Sequence, residues 1–221
     1  MFNGAFRETS SLFFDRIGAA FAKTQIPPNV FSSLALGVAA AGALMFHFRL
    51  YVPAFVCIGI ACLWDTIDGA VARAEKRVTK FGYYLEGIID KWVEVIIYAG
   101  FAASGYALES FLVISATLML SFAKPRAAMV VPIGEHDWPA IGERFDRLLL
   151  LNIGLAVFLF LPRFRLARVE VRTLSIVFVI LFIVAAVGSI QRIFYAKKII
   201  ALGGTEKMHV QSRDVFANND K

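Results

Sequence analysis

The chain has 221 residues, 58% of them apolar, a mean hydropathy of +0.67 and a formal charge of +6. This composition excludes both a water-soluble fold and a disordered chain, because soluble domains average only about 45–50% apolar residues. The two cysteines, Cys57 and Cys62, lie in an apolar run and cannot form a disulfide framework. Since the basic residues lie between apolar blocks, lipid headgroups or phosphorylated substrates are expected as partners, and nucleic acid is not.

Six apolar segments follow one another along the chain, each about as long as a transmembrane helix requires. The predicted spans are 29–48, 51–74, 82–104, 108–130, 143–161 and 173–195. We therefore predict an all-α, polytopic membrane protein of six transmembrane helices. The predicted organisation is an N-terminal segment over 1–28, one transmembrane domain over 29–200 and a polar tail over 201–221. An apolar stripe over 9–23 predicts an amphipathic helix that lies in the membrane interface.

Lysine and arginine are distributed unequally between the two ends of the predicted spans. Most of the 23 basic residues fall in the N-terminal segment, the second and fourth connections and the C-terminal tail. Basic residues accumulate in cytoplasmic loops, so this pattern predicts a multi-pass protein of the cell membrane with both termini in the cytoplasm. Arg49 and four arginines within 163–172 lie on the opposite side, and this second group is an exception to which the sequence assigns no function.

Four acidic residues stand where the second predicted span ends and the third begins. Asp65 and Asp68 lie on one side of the second helix, and Glu86 and Asp90 lie one turn apart on the third. Ionisable residues inside membrane helices are costly and need a specific reason. Because only a short polar connection separates the two spans, we expect the four carboxylates to surround one pocket near the cytoplasmic surface.

Clustered carboxylates need positive counter-charge, which divalent cations supply directly. Oxygen ligands without histidine or cysteine favour Mg²⁺, Mn²⁺ or Ca²⁺ over zinc. Arg73 offers a fork of donors for phosphate, and Gly69 and Gly82 allow a ligand close to the backbone. Lys91 and Glu94 are expected to form an accessory ion pair. The set predicts phosphoryl transfer on a diphosphate, although a Mg²⁺-dependent prenyltransferase and a divalent-cation transporter remain alternatives.

The spacing of these residues resembles the signature of the CDP-alcohol phosphotransferase family, D-x2-D-G-x2-A-R-x8-G-x3-D-x3-D. This chain has Asp65-x2-Asp68-Gly69-x2-Ala72-Arg73-x8-Gly82-x3-Glu86-x3-Asp90, which departs from the signature only at Glu86. The resemblance implies a membrane enzyme of phospholipid biosynthesis that moves a phosphoalcohol group from a CDP-alcohol or CDP-lipid to an acceptor hydroxyl and releases CMP. It also implies a homodimer.

The resemblance further implies a role for each matching residue. Two divalent ions are expected on the four acidic residues, with Asp90 also acting as the general base. The residues expected to bind the CDP-alcohol are Asn29, Ser32, Gly69, Arg73 and Thr79. A second stretch, Ser-Phe-Ala-Lys-Pro-Arg-Ala over 121–127, resembles the branch of the family that uses inositol phosphate. By that resemblance Lys124, Arg126 and Arg144 are expected to hold the phosphate of the acceptor.

Overall fold

A computed structural model of the chain describes residues 28–74, 80–133, 141–166 and 169–204. The described residues are predominantly helical and carry one short hairpin. The elements are α1 (Pro28–His47), α2 (Tyr51–Ala74), α3 (Lys80–Phe101), a π-helical turn (Ala102–Tyr106), α4 (Ala107–Ala128), α5 (Arg144–Phe160), β1 (Arg163–Leu166), β2 (Val169–Arg172) and α6 (Thr173–Leu202). Two compact units divide the chain, Met1–Ser110 and Phe111–Lys221.

Each of the six predicted spans coincides with a helix. The ends agree within three residues, except that α6 continues to Leu202 where the sequence predicts an end at 195. Among the described residues, two stretches are long and apolar enough to cross a membrane, Tyr84–Ala128 and Thr173–Leu202. The predicted interfacial helix over 9–23 lies outside the described residues.

The third and fourth predicted spans are separated by a break in the helical backbone. Ser104 has φ −96° and ψ 15°, and Gly105 has φ 92° and ψ 19°. A positive φ of this size is adopted readily only by glycine. The Ser104 hydroxyl donates a hydrogen bond of 2.7 Å to the carbonyl of Gly100, which satisfies an acceptor close to the break. The change of direction therefore lies where the hydropathy pattern predicts the boundary.

In the first unit, α1 packs against both α2 and α3. The Cys57 thiol lies 3.8 Å from the Met45 sulfur, and the rings of Phe46 and Tyr51 are 5.2 Å apart, so α1 and α2 run antiparallel. The ring of Phe46 also lies 4.7 Å from that of Phe101, at the end of α3. The C-terminal ends of α1 and α3 are therefore neighbours, and these two helices run in the same direction.

Gly100 allows α1 and α3 to approach closely. A Cβ atom at this position would lie 2.6 Å from Cβ and 2.7 Å from Cα of Ala43. Gly100→Ala should therefore lower the stability of the purified protein by roughly 1–3 kcal/mol, the cost typical of overpacking. At Gly37 on α1, no atom lies within 4 Å of an added Cβ, so Gly37→Ala should be neutral or slightly stabilising. Thermal unfolding in detergent compares the two variants, and equal midpoints would contradict the close approach.

In the second unit, the segment before α5 lies directly against α6. A Cβ atom at Gly188 would lie 2.1 Å from the carbonyl oxygen of Ile141. The Ile141 amide donates a hydrogen bond of 2.9 Å to the Gln191 side chain, and Gly142 next to it has a φ of 72°. These contacts fix the start of α5 against the second half of α6.

The β1–β2 hairpin departs from the all-α prediction. Its antiparallel register pairs Arg163 with Arg172 and Phe164 with Val171. Charged and apolar residues alternate here with a period of two, which is the pattern of a strand. The all-α prediction is therefore wrong over this short segment, where Arg163–Leu166 and Val169–Arg172 form strands.

Candidate functional site

The contacts of α1 define a common level from which positions on the three helices can be measured. A Cβ atom at Gly42 would lie 2.9 Å from the side chain of Ile58 on α2, and the neighbouring Ala43 touches Gly100 on α3. Residues 42, 58 and 100 are therefore close to one height. The residues of the family signature all lie on the same side of this level, towards the start of α1, the end of α2 and the start of α3.

The two acidic pairs lie at similar depths below that level. With a rise of 1.5 Å per residue, the backbones of Asp65 and Asp68 lie about 10 and 15 Å below it, and those of Asp90 and Glu86 about 14 and 20 Å below it. The four positions thus occupy one band about 10 Å deep. The structure describes the backbone but not the side chains over 65–74, so the convergence of the four carboxylates stays a prediction.

Three of the predicted nucleotide-binding residues belong to the same band. By the same rise, the backbones of Ser32 and Asn29 on α1 lie about 15 and 20 Å below the common level, and Gly69 on α2 about 16 Å below it. Arg73 lies one turn farther along α2, and Thr79 lies outside the described residues. The fold thus brings the backbones of Asn29, Ser32 and Gly69 to the depth of the acidic pairs.

Glu86 and Asp90 are the acidic signature residues whose side chains the structure describes. Both are half-buried and stand one turn apart on α3, so their side chains are neighbours on one face. In the part of the chain whose side chains are described, no three Asp, Glu, His or Cys residues come together as a metal site. Two carboxylates in reach of one another nevertheless form the start of an all-oxygen donor set, which suits Mg²⁺ or Mn²⁺.

The predicted pair of Lys91 and Glu94 is confirmed. The Lys91 ammonium lies 3.2 Å from the Glu94 carboxylate, whose side chain is only 1% exposed. A buried carboxylate needs such a partner, because an uncompensated charge would be strongly destabilising.

In the second unit, Arg192 connects the two segments that are predicted to bind the acceptor. Its guanidinium donates a hydrogen bond of 2.6 Å to the carbonyl of Leu120, one turn before Lys124 on α4. It also lies 3.8 Å from the carboxylate of Glu143, the residue before Arg144. The side chain of Arg192 is only 11% exposed. Lys124 and Arg144, which are 20 residues apart in the chain, are therefore each close in sequence to a partner of Arg192.

Arg192 is absent from the predicted site residues, because its place in the sequence groups it with the basic residues of the C-terminal tail. The missed signal was its position, because Arg192 falls inside the sixth predicted span, where a charge is costly. Arg147 is a second buried arginine, 3% exposed, and it donates a hydrogen bond of 2.6 Å to the Gly142 carbonyl. Arg126, by contrast, is exposed, and its guanidinium contacts the sulfur of Met129. This contact does not connect Arg126 to Arg192.

The charges of this region are predominantly positive. Lys124 and Arg144 are half-buried, Arg147 and Arg192 are more deeply buried, and the Glu143 side chain beside them is 55% exposed. Arginine presents a rigid fork of donors that matches phosphate oxygens. These residue types suit a phosphate group, and binding of the acceptor phosphate here stays a prediction. We call Lys124, Arg144, Arg147 and Arg192 the arginine patch.

Comparison with protein families decides the class of the molecule. The family model for CDP-alcohol phosphatidyltransferases matches residues 25–190, about three quarters of the chain. The chain belongs to the CDP-alcohol phosphatidyltransferase family. It is therefore a transferase of phospholipid biosynthesis, as the signature predicts, and the match decides against a prenyltransferase or a cation transporter.

Relatives of this phosphatidyltransferase cover most of its length. The archaetidylinositol phosphate synthase of Pyrococcus horikoshii is 27% identical over 195 residues, which are 86% of this chain and 93% of the relative. The enzyme of the same name from Methanothermobacter thermautotrophicus is 28% identical over 169 residues, 75% of this chain and 84% of the relative. These similarities confirm the predicted likeness to the inositol-phosphate-using branch.

Solved structures share the fold. The phosphatidylinositol phosphate synthase PgsA1 of Mycobacterium tuberculosis with CDP-DAG bound superposes with a TM-score of 0.68 at 20% identity, covering 83% of this chain and 92% of PgsA1. The structure of PgsA1 in complex with manganese and citrate gives the same TM-score at 21% identity, covering 83% of this chain and 88% of that one. At these identities the likeness establishes the fold of the chain.

Proposed function

We propose that this phosphatidyltransferase uses a CDP-lipid as donor and a phosphorylated polyol of the inositol phosphate class as acceptor. The arginine patch is the observation that carries the acceptor class, because a plain polyol would not require several partly buried cations. The names of the archaeal relatives and of PgsA1 agree with this acceptor class. In the reaction, the acceptor oxygen forms a bond to the phosphorus next to the lipid, and the bond from that phosphorus to CMP breaks.

The catalytic centre in this proposal is the acidic band of α2 and α3. Asp65, Asp68, Glu86 and Asp90 would hold two divalent ions, Mg²⁺ or Mn²⁺. Such ions, when bound, offset the negative charge of the diphosphate and of the departing CMP. The PgsA1 structure with manganese supports a divalent metal. Asp90 accepts the proton of the acceptor hydroxyl, because a carboxylate that is ionised at neutral pH can act as general base.

The donor is proposed to bind between α1 and α2, next to the acidic band. The residues assigned to the cytidine diphosphate group are Asn29, Ser32, Gly69, Arg73 and Thr79. A shared depth on neighbouring helices supports the first three, and the guanidinium of Arg73 suits a phosphate oxygen. Lys124, Arg126 and Arg144 are assigned to the acceptor phosphate, and Arg147 and Arg192 join them from the geometry of the arginine patch.

The proposed architecture is a six-span protein of the cell membrane, with both termini in the cytoplasm. The agreement between the apolar segments and the helices α1 to α6 supports the six spans, and the distribution of basic residues supports the orientation. The proposal includes the interfacial helix within the 1–28 segment, one catalytic domain over 29–200 and the polar tail over 201–221. By family resemblance, two copies of the chain form a homodimer.

The proposed reaction is tested by the release of CMP from purified protein in detergent. With CDP-diacylglycerol or its ether-linked archaeal counterpart and Mg²⁺, inositol phosphate should release CMP faster than inositol, serine or glycerol phosphate, and EDTA should abolish the release. Faster turnover with plain inositol would contradict the acceptor class. Undiminished CMP release in EDTA would contradict the metal requirement.

A further inference from the structure

The ion pair of Lys91 and Glu94 reaches into the apolar interior of the first unit. Glu94 is 1% exposed, and its neighbours Val93 and Ile97 on α3 are buried to the same extent. The Lys91 ammonium lies 3.2 Å from the Glu94 carboxylate, and the Lys91 side chain is 30% exposed. Apolar residues of similar volume often stabilise a protein at least as well as a buried ion pair does. Stability alone therefore does not explain why two charges stand at this place in a membrane helix.

Glu94 continues the acidic face of α3 by one turn. Glu86, Asp90 and Glu94 follow one another at intervals of four residues, so they lie on one side of the helix. By the rise of 1.5 Å per residue, the backbone of Glu94 lies about 9 Å below the common level, close to the depth of Asp65 on α2. Glu94 thus stands at the inner end of the acidic band, where the carboxylates are followed by the apolar residues of α3.

We propose that the Lys91–Glu94 pair positions Asp90, the residue assigned above as general base and metal ligand. The inference rests on the proposed function, because it gives the pair a task in that catalytic centre. Glu94 supplies a fixed negative charge one turn from Asp90, and carboxylates four residues apart on a helix repel each other. The repulsion directs the Asp90 carboxylate away from the apolar interior. Lys91 compensates the charge of Glu94, which unpaired would be strongly destabilising there.

Glu94 acts through Asp90 in this proposal and does not bind the metal itself. The described side chains of Glu86, Asp90 and Glu94 do not come together as a metal site of three ligands. Side chains on a helix lean toward its N-terminus, so the side chain of Glu94 extends toward the turn that carries Asp90. The buried ion pair is therefore placed to restrict where the Asp90 carboxylate can lie, and both Glu94 and Lys91 are positioning residues.

The test replaces the pair by apolar residues of similar volume in the full-length protein in detergent. Lys91→Met/Glu94→Leu should unfold thermally at or above the wild-type midpoint, because the buried charges are gone. Its Mn²⁺ affinity in an equilibrium titration and its turnover in CMP release should each fall roughly 10- to 100-fold, the range typical of losing a partner of a metal ligand. The KM for inositol phosphate should stay near the wild-type value.

Two further variants separate the charge beside Asp90 from the presence of an ion pair. Lys91→Glu/Glu94→Lys keeps the pair but places a positive charge one turn from Asp90, so it should also lose Mn²⁺ affinity and turnover. Lys91→Arg keeps both charges in place and should behave as the wild type. The matched control is Arg163→Gln/Glu170→Gln, which removes an exposed ion pair of the second unit and should change neither quantity.

Wild-type Mn²⁺ affinity and turnover in Lys91→Met/Glu94→Leu would overturn the proposal, since the pair would then only fill space. Full activity in the charge-swapped variant would overturn it as well, because the sign of the charge at position 94 would not matter. If neither double variant folds, the pair serves the stability of α3 and the proposal also fails. Absence of CMP release in the wild type, with the expected differences in Mn²⁺ affinity, would count against the transferase reaction and leave the positioning of Asp90 standing.

Discussion

Glu86→Ala should lower CMP release at saturating Mg²⁺ by at least roughly 100-fold, because even the loss of an outer-shell partner of a metal ligand costs 10- to 100-fold. Glu86→Asp should retain activity, since aspartate stands at this position in the family signature and supplies the same two oxygens. Glu86 is half-buried and lies one turn from Asp90. Because its side chain is described, substituting it is a direct test of the predicted metal site.

Binding of Mn²⁺ separates a lost ligand from a misfolded protein in this series. The alanine variant should bind Mn²⁺ more weakly than the wild type in an equilibrium titration, and the aspartate variant should bind it comparably. Glu170→Gln is the matched control, since it removes an exposed acidic residue far along the chain from the signature, and it should leave CMP release unchanged. Wild-type activity in Glu86→Ala would show that this carboxylate holds no metal.

The helices were predictable because apolar runs of sufficient length have few alternatives in a membrane. The end of α6 shows where that reasoning stops. Lys197 and Lys198 interrupt the apolar run, yet the helix continues to Leu202 and ends at Gly203, whose φ of 75° is a left-handed cap. Charged side chains can extend to the interface while the backbone stays helical, so glycine is the better signal for the end of this helix.

The hairpin was not predictable from hydropathy. Strands of four residues are stabilised by pairing with each other, and this pairing depends on a register that composition does not specify. Charged and apolar residues alternate around Phe164 and Val171 in the sequence. The prediction for this segment considered only the charge of its four arginines and not this alternation.

The candidate site was predictable in its residue types and less so in its geometry. The signature spacing indicated one face of α2 and one of α3, and these two helices do touch. Both pack more extensively on α1, which therefore determines the relative height of Asp65, Asp68, Glu86 and Asp90. Arg192 required the structure, because its partner Leu120 is 72 residues away in the chain.

Arg144→Gln should raise the KM for inositol phosphate by roughly 10- to 100-fold, the effect expected for losing charge-assisted hydrogen bonds to a phosphate. The KM for the CDP-lipid and the turnover at saturating acceptor should stay near the wild-type values, because the signature residues are unchanged. Plain inositol should be used equally well by the variant and the wild type. Initial rates of CMP release over a range of both acceptors give these constants.

Lys198→Gln is the matched control for Arg144→Gln, since Lys198 is an exposed basic residue on α6, the same helix as Arg192. If the effect came from a general loss of positive charge, both variants would show the same rise in the KM for inositol phosphate. If Arg144 binds the acceptor phosphate, only Arg144→Gln should show that rise. If Arg144→Gln raises the KM for inositol and the KM for inositol phosphate by the same factor, Arg144 does not hold the acceptor phosphate. The arginine patch would then act by holding α4, α5 and α6 together, as the bonds from Arg192 to Leu120 and Glu143 already do.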